Sequence, residues 1–291
     1  MSVASRLYAR RRIINIAAMI LSGVATVIGL LFLAWILWVT LENGIQALNP
    51  KLFTRITAYG ADGGLANAII GSIGMDVLAL LICAPIGVLA GAWLAEYAST
   101  SRFGHAIRFV NDILLSAPSI VLGLLVYMIV VRPMSDLTHG AVSFSGLAGA
   151  IALALIGLPV IVRTTDEMLR LIPGTLREAA LSLGIPQWKL TVQILMRAAM
   201  SGILTGIALG LARLAGETAP LLFTAFGNIF MTFSPLSKTA SVPQVIYEYT
   251  GDPSPQMHAI AWAGALLIIV FVFALSLLSR LFLSRKKVSH D

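Results

Sequence analysis

Six apolar stretches dominate this chain, each near the ~20 residues that carry a helix across the hydrocarbon core of a bilayer. They run roughly over 13–41, 66–95, 113–131, 146–162, 200–224 and 259–283. Polar backbone cannot be left unpaired in lipid, so stretches of this length are restricted to helices. Only 11% of the residues are charged, against about 25% in a soluble domain. The reading is an all-α, polytopic membrane protein with six transmembrane helices. The first stretch is too long for a signal-peptide core of about 7–15 residues and is expected to stay as a membrane span.

The charge of +7 sits at the ends of the spans rather than in a patch, so it speaks for orientation and not for nucleic acid. With the N-terminus inside, one face carries fifteen basic residues: Arg6, Arg10, Arg11, Arg12, Arg102, Arg108, Arg163, Arg170, Arg177, Lys189, Arg197, Arg280, Arg285, Lys286 and Lys287. The other carries four, Lys51, Arg55, Arg132 and Lys238, and Arg213 falls inside a span. The bias predicts both termini on the cytoplasmic side. Trp35, Trp38, Trp93, Tyr97 and Trp262 fall near span ends, as interface anchors do. The outer loops are 42–65, 132–145 and about 225–258, the last with a candidate short helix at Val242–Tyr249.

The longest polar interval on the predicted inner face is Thr175 to Arg197. It reads as two short helices joined at Gly184-Ile185-Pro186. Thr175 and Glu178 have capping-box spacing. Gly184 suits the left-handed position past a helix end, and Pro186 suits the start of the next helix. The run Glu178-Ala179-Ala180, three residues, Gly184, nine residues, Ile194 resembles the EAA loop of ABC-importer permeases. That resemblance implies a type I ABC-importer permease fold with a cytoplasmic coupling helix that docks on a separate ATPase. The implied coupling residues are Glu178, Ala179, Ala180, Leu181, Ser182, Leu183 and Gly184, with Ala179, Leu181, Ser182 and Leu183 as the face offered outward. The family usually ends the motif Ile-x-Leu-Pro. Here it is Ile194-Leu195-Met196-Arg197, so the second helix loses a start signal and is expected to run on.

The fifth stretch is the most informative. Gly202, Gly206 and Gly210 recur every four residues, the spacing that lets two helix backbones approach in lipid. Two partners fit them: a second, similar subunit, or another span of this chain. Arg213 and Glu217 follow, four residues apart, on or beside the same face. Ionisable groups at membrane depth are costly and usually face a cavity or each other. Arg213 is a candidate for attracting an anion on a translocation path and Glu217 for positioning it; a structural ion pair is the alternative. Asp76, within the second stretch, is a further intramembrane carboxyl with no motif to explain it.

The segment Ala212-Arg213-Leu214-Ala215-Gly216-Glu217-Thr218-Ala219-Pro220-Leu221-Leu222-Phe223 is very similar to a signature of the PstA-type permease subunits of bacterial phosphate ABC importers. Leu94 to Ala98, Ala117-Pro118-Ser119-Ile120-Val121-x-Gly123 and Pro159 to Glu167 match as well. The likeness covers residues 65–283, which divides the chain into 1–64 (N-terminal segment, first span and outer loop), a permease domain 65–283 with its EAA loop at 164–199, and a cytoplasmic tail 284–291. It implies a multi-pass protein of the bacterial cytoplasmic (inner) membrane with no catalytic residues. A PstC-type permease would be its pore partner, a PstB-type ATPase dimer would bind ATP and Mg, and a periplasmic or lipid-anchored PstS-type protein would deliver phosphate. Arg163, at the inner end of the fourth span, becomes a second substrate-path candidate, since the guanidinium fork suits phosphate oxygens.

Other readings stay open. Another oxyanion, of the tungstate or phosphonate type, would use the same basic span. An ion-coupled secondary carrier could use Asp76 and Glu217 as proton sites, but leaves the EAA spacing without a purpose. No P-loop is present, so no ATPase motor of that kind lies in this chain. His105, His139, His258 and His290 lack metal-ligand spacing. The single cysteine, Cys83, excludes an intrachain disulfide.

Overall fold

In a computed structural model that describes residues 3–58 and 62–287, the chain is built from helices alone, apart from one isolated bridge between Phe226 and Thr239. The helices are α1 (Val3–Ala47), α2 (Lys51–Thr54), α3 (Ala66–Glu96), α4 (Arg102–Ser116), α5 (Ser119–Leu137), α6 (Gly146–Arg170), α7 (Gly174–Ser182), α8 (Gln187–Leu214), α9 (Ala219–Leu222), α10 (Val242–Thr250) and α11 (Pro255–Lys287). Among the described residues six are long and apolar enough to span a bilayer: α1, α3, α5, α6, α8 and α11. The end of the predicted tail, 288–291, lies outside the described residues.

The third stretch starts later than its hydropathy suggests. Pro118 holds an extended backbone between α4 and α5, so Ile113 to Ser116 belong to α4 and the span begins at Ser119. Helix α4 is capped by Ser101, whose Oγ accepts from Gly104 N–H at 2.9 Å. Helix α5 passes through a π-helical turn at Tyr127–Val131 and α8 through one at Leu190–Leu195. The fourth stretch, short by hydropathy, is the N-terminal part of the 25-residue α6.

Helix α6 is the centre of the body, packed against α3, α4, α5 and α8. Its small residues Ala148, Gly149, Ala150, Ala152 and Ala154 are buried and admit neighbours closely. The main core joins Met75 and Ala79 of α3, Leu153 and Ile156 of α6, Leu122 of α5, Leu214 of α8 and Leu221 of α9. A second core, at the predicted outer side, joins Leu52, Leu65, Val242, Val245, Tyr249, Met257 and Ala261. There Asn67 ties two loops together: its Oδ1 accepts from Thr57 N–H at 2.9 Å, and its Nδ2 donates to Asn228 O at 2.7 Å. The outer loop of segment 1–64 is thus packed into the body through Leu52 and Thr57.

Helix α1 stands apart. Among its described side chains only those at the C-terminal end are covered, with Gly44 against Leu266 of α11 and Thr40 buried; from Ile13 to Trp38 they are exposed. An apolar helix surface of this extent requires lipid or another protein around it.

Candidate functional site

The inner loop forms a compact bracket. Helix α7 starts after Pro173, with Gly174 as its first residue and no side-chain cap. The expected capping box of Thr175 and Glu178 is therefore not made. Proline already sets the entry geometry and Thr175 lies two residues past the N-cap position, leaving Glu178 on the surface. The other end follows the sequence closely. Gly184 adopts φ +76°, its N–H donates to Leu181 O at 2.9 Å, and Ile185 N–H donates to Ala180 O at 3.3 Å. This pair of bonds is a Schellman motif, which only a residue without a Cβ enters freely. Pro186 stands just before α8, and α8 runs without interruption to Leu214, as the loss of the Pro signal at Arg197 implies.

Of the coupling candidates, Ala180 points inward, 5% exposed, into a cluster with Leu169, Leu190 and Leu195. Glu178, Ala179, Leu181, Ser182 and Leu183 are exposed, Leu183 by 80%. Leu176 joins Leu181 and Leu183 as exposed apolar side chains of this loop. Arg177, visible in the sequence only as one more inner-face cation, holds the bracket in place. Its Nη2 and Nε reach Glu96 Oε1 and Oε2 at 2.7 and 3.1 Å, and its remaining donors reach Ile172 O at 2.7 Å and Leu169 O at 2.8 Å. The Glu96 hydrogen bonds hold the Arg177 guanidinium above its ordinary pKa. The partners of this ion pair lie 81 positions apart in the sequence. Arg108 goes to Asp166, Nε to Oδ2 at 2.9 Å, and Arg170 shares that carboxylate at 2.9 Å.

The glycine stripe of α8 is occupied by α6 of the same chain. A Cβ at Gly202 would overlap Met168, one at Gly206 would overlap Thr164, and Gly210 faces Ile161. Of the two partners weighed for the stripe, the chain's own fourth span fills it.

Helix α8 stops at Leu214, so the fifth stretch is not one continuous helix to 224. Ala215 to Thr218 make a turn, and α9 then folds back against α5 and α6, with Pro220 in contact with the backbone at Gly123. Arg213 and Glu217 flank this break. Arg213 Nε lies 3.7 Å from Glu217 Oε1, an ion pair too long for a hydrogen bond; the side chains are 40% and 16% exposed. The pairing expected from spacing is present, but it spans a helix end rather than two turns of one helix. Such a loose pair leaves the guanidinium donors open.

Arg163 is differently placed. Its Nε donates to Glu167 Oε1 at 2.8 Å, and its Nη1 lies 3.8 Å from Asp112. With two carboxylates beside it, Arg163 is far less available to an anion than Arg213. Asp76 is buried, 7% exposed, on the wall of a cavity of about 440 Å³ between α3, α8 and α11, with Ser72, Leu211 and Leu267. No ion pair joins it among the described residues, and no group of His, Cys, Asp or Glu among them is placed to hold a metal.

The chain belongs to the family of binding-protein-dependent transport system inner membrane components, whose model matches residues 87–288. Along its whole length it is similar to the phosphate transport system permease protein PstA of Xylella fastidiosa (strain Temecula1), 53% identical over 290 residues and covering 99% of each chain. The protein of the same name from Haemophilus influenzae is 51% identical over 268 residues, 92% of this chain and 93% of that one. Two inward-facing structures of the MetNI methionine ABC transporter share the fold. Their TM-scores are 0.60 and 0.54 over 76% of this chain and 95% and 94% of theirs, at 17% and 18% identity.

Proposed function

We propose that this chain is one half of a membrane pathway that imports inorganic phosphate, with Arg213 as its anion-attracting group. The observation that carries the reading is the break at the end of α8, where a half-exposed guanidinium is held loosely by Glu217 within a membrane-spanning body. A guanidinium can engage two phosphate oxygens at once. The similarity along the full chain to proteins named as phosphate permeases supports the same cargo.

Both termini face the cytoplasm in this reading, from the bias of fifteen basic residues against four. Helix α7 then meets a PstB-type ATPase dimer, a PstC-type permease completes the pore, and a PstS-type protein delivers phosphate from outside. Chemistry on ATP and Mg belongs to the ATPase. This chain converts the displacement of α7 into a change of access, through the Arg177 bracket to α3 and α6.

The test is uptake by vesicles holding the purified complex. ATP-dependent accumulation of labelled phosphate, resistant to collapse of the proton gradient, is expected. Uptake of tungstate in preference to phosphate would reassign the cargo, and an immediate stop on collapse of the gradient would favour an ion-coupled carrier.

A further inference from the structure

On the predicted outer side, residues 225–249 enclose a cavity of about 260 Å³ whose wall includes Asn228, Lys238, Gln244, Glu248 and Thr57. Lys238 is held over it by aromatic rings. Its Nζ lies 5.0 Å from the centroid of Phe226 and 5.9 Å from that of Phe144, and these two rings stack at 4.5 Å. Phe226 takes the left-handed φ of 62° to reach this position, an uncommon conformation for a large side chain. Lys238 forms no ion pair among the described residues, although Glu248 lines the same cavity. Glu248 is oriented by Gln244, whose Nε2 donates to its Oε1 at 3.0 Å. Gln244 itself is 2% exposed, and its Oε1 has no hydrogen-bond partner. A buried acceptor left without a donor is costly and uncommon.

We propose that this cavity is an outer site for a protonated oxyanion, hydrogen phosphate or dihydrogen phosphate, on its way to Arg213. It rests on the phosphate reading above and goes beyond it. A fully deprotonated tetrahedral anion such as sulfate would meet Lys238 well and be repelled by Glu248. A phosphate carries both charge and O–H groups. Its oxygens accept from Lys238 Nζ and its hydroxyl donates to Glu248, and in dihydrogen phosphate the second hydroxyl has the unpartnered Gln244 Oε1 as an acceptor. The aromatic platform keeps the ammonium close to the cavity without supplying a counter-charge to quench it. The site therefore selects on protonation, a property that separates phosphate from sulfate near neutral pH.

The test measures equilibrium binding of labelled inorganic phosphate to the intact complex in an Arg213→Ala background without the delivery protein, so that binding at Arg213 does not contribute. Saturable binding is expected, with sulfate failing to compete. Lys238→Gln is expected to raise the half-saturating concentration about tenfold or more, the loss of one hydrogen bond to a charged group. Lys238→Arg should stay near the parent, and Glu248→Gln should let sulfate compete. Co-purification of the ATPase with each variant verifies assembly. Absence of saturable binding, an unchanged Lys238→Gln, or sulfate competing equally with phosphate in the parent overturns the proposal. If wild-type vesicles import phosphate while these results fail, the outer site alone falls; if they import none, the cargo assignment falls.

Discussion

Arg177 and Glu96 form a two-pronged ion pair, 2.7 and 3.1 Å, that fastens the short helix α7 to the C-terminal end of α3. Glu96 is 4% exposed and Arg177 is 23% exposed at the side chain. Gln187 adds a hydrogen bond to Glu96 O at 3.0 Å, so both ends of the bracket meet one residue. A displacement of α7 therefore reaches the membrane body through few, stiff contacts.

Removing one partner of this pair leaves a buried charge uncompensated, at a cost of about 3–5 kcal/mol. Arg177→Ala is expected to lower the melting temperature of the complex and to uncouple ATP hydrolysis from uptake, measured as transported substrate per ATP. The double exchange Arg177→Glu with Glu96→Arg should restore part of the coupling. Full coupling in Arg177→Ala would remove the bracket from the mechanism.

Arg213→Ala should abolish phosphate uptake while leaving co-purification of the ATPase unchanged, because the side chain is half exposed and only loosely paired. Lys at this position keeps the charge and loses the planar fork, so uptake should return in part. The measurement is initial uptake rate in vesicles. A wild-type rate in the alanine variant would make Arg213 a structural residue.

At Gly184 the backbone has φ +76° with open space around the Cα, so the cost of a side chain there is conformational rather than steric. A non-glycine residue costs about 1–2 kcal/mol in this region, and a β-branched one more. Gly184→Val is expected to weaken ATPase association in pull-down without removing the chain from the membrane. Gly184→Asn should be milder, since asparagine tolerates the left-handed region.

Lys51 and Asp62 meet at 3.1 Å across the first outer loop, and Lys51, by hydrogen bond and then by charge, holds the Asp62 carboxyl below its usual range. A depressed carboxylate pKa contributes stability above the ordinary aspartate range that is lost as pH falls through the lowered value. Hydrogen exchange of residues 51–58 should therefore be constant from pH 7 to about 4 after correction for intrinsic rates, and increase only below that. Asp62→Asn should erase the acid-side change. Both groups are well exposed, so the effect is local and weakened by salt.

Legibility from sequence followed the range of the interaction. The Schellman end at Gly184, the continuous helix past Arg197 and the small outer helix at 242–250 are local events, settled by residues a few positions apart. The failed capping box is local too: Pro173 was a competing start signal, and it prevailed. The stop of α8 at Leu214 was marked in the sequence only by Arg213 and Glu217 interrupting the apolar run, which left the end of the span undefined.

On its own, the amino-acid sequence determined that this chain lives in lipid, how many times it can cross, and which short segments must turn. Apolar length and backbone hydrogen bonding allow no other outcome in a bilayer. Tertiary structure alone decided which partner each polar group takes. Glu96 could meet any of several inner-face cations, and only the packing of α7 under α3 and α6 selects Arg177. The glycines of α8 permitted a close neighbour without naming it, and α6 came to fill them. Arg163, at a span end, and Arg213, within a span, were both candidates to meet an anion. Two nearby carboxylates quench the first, while the end of a helix leaves the second open.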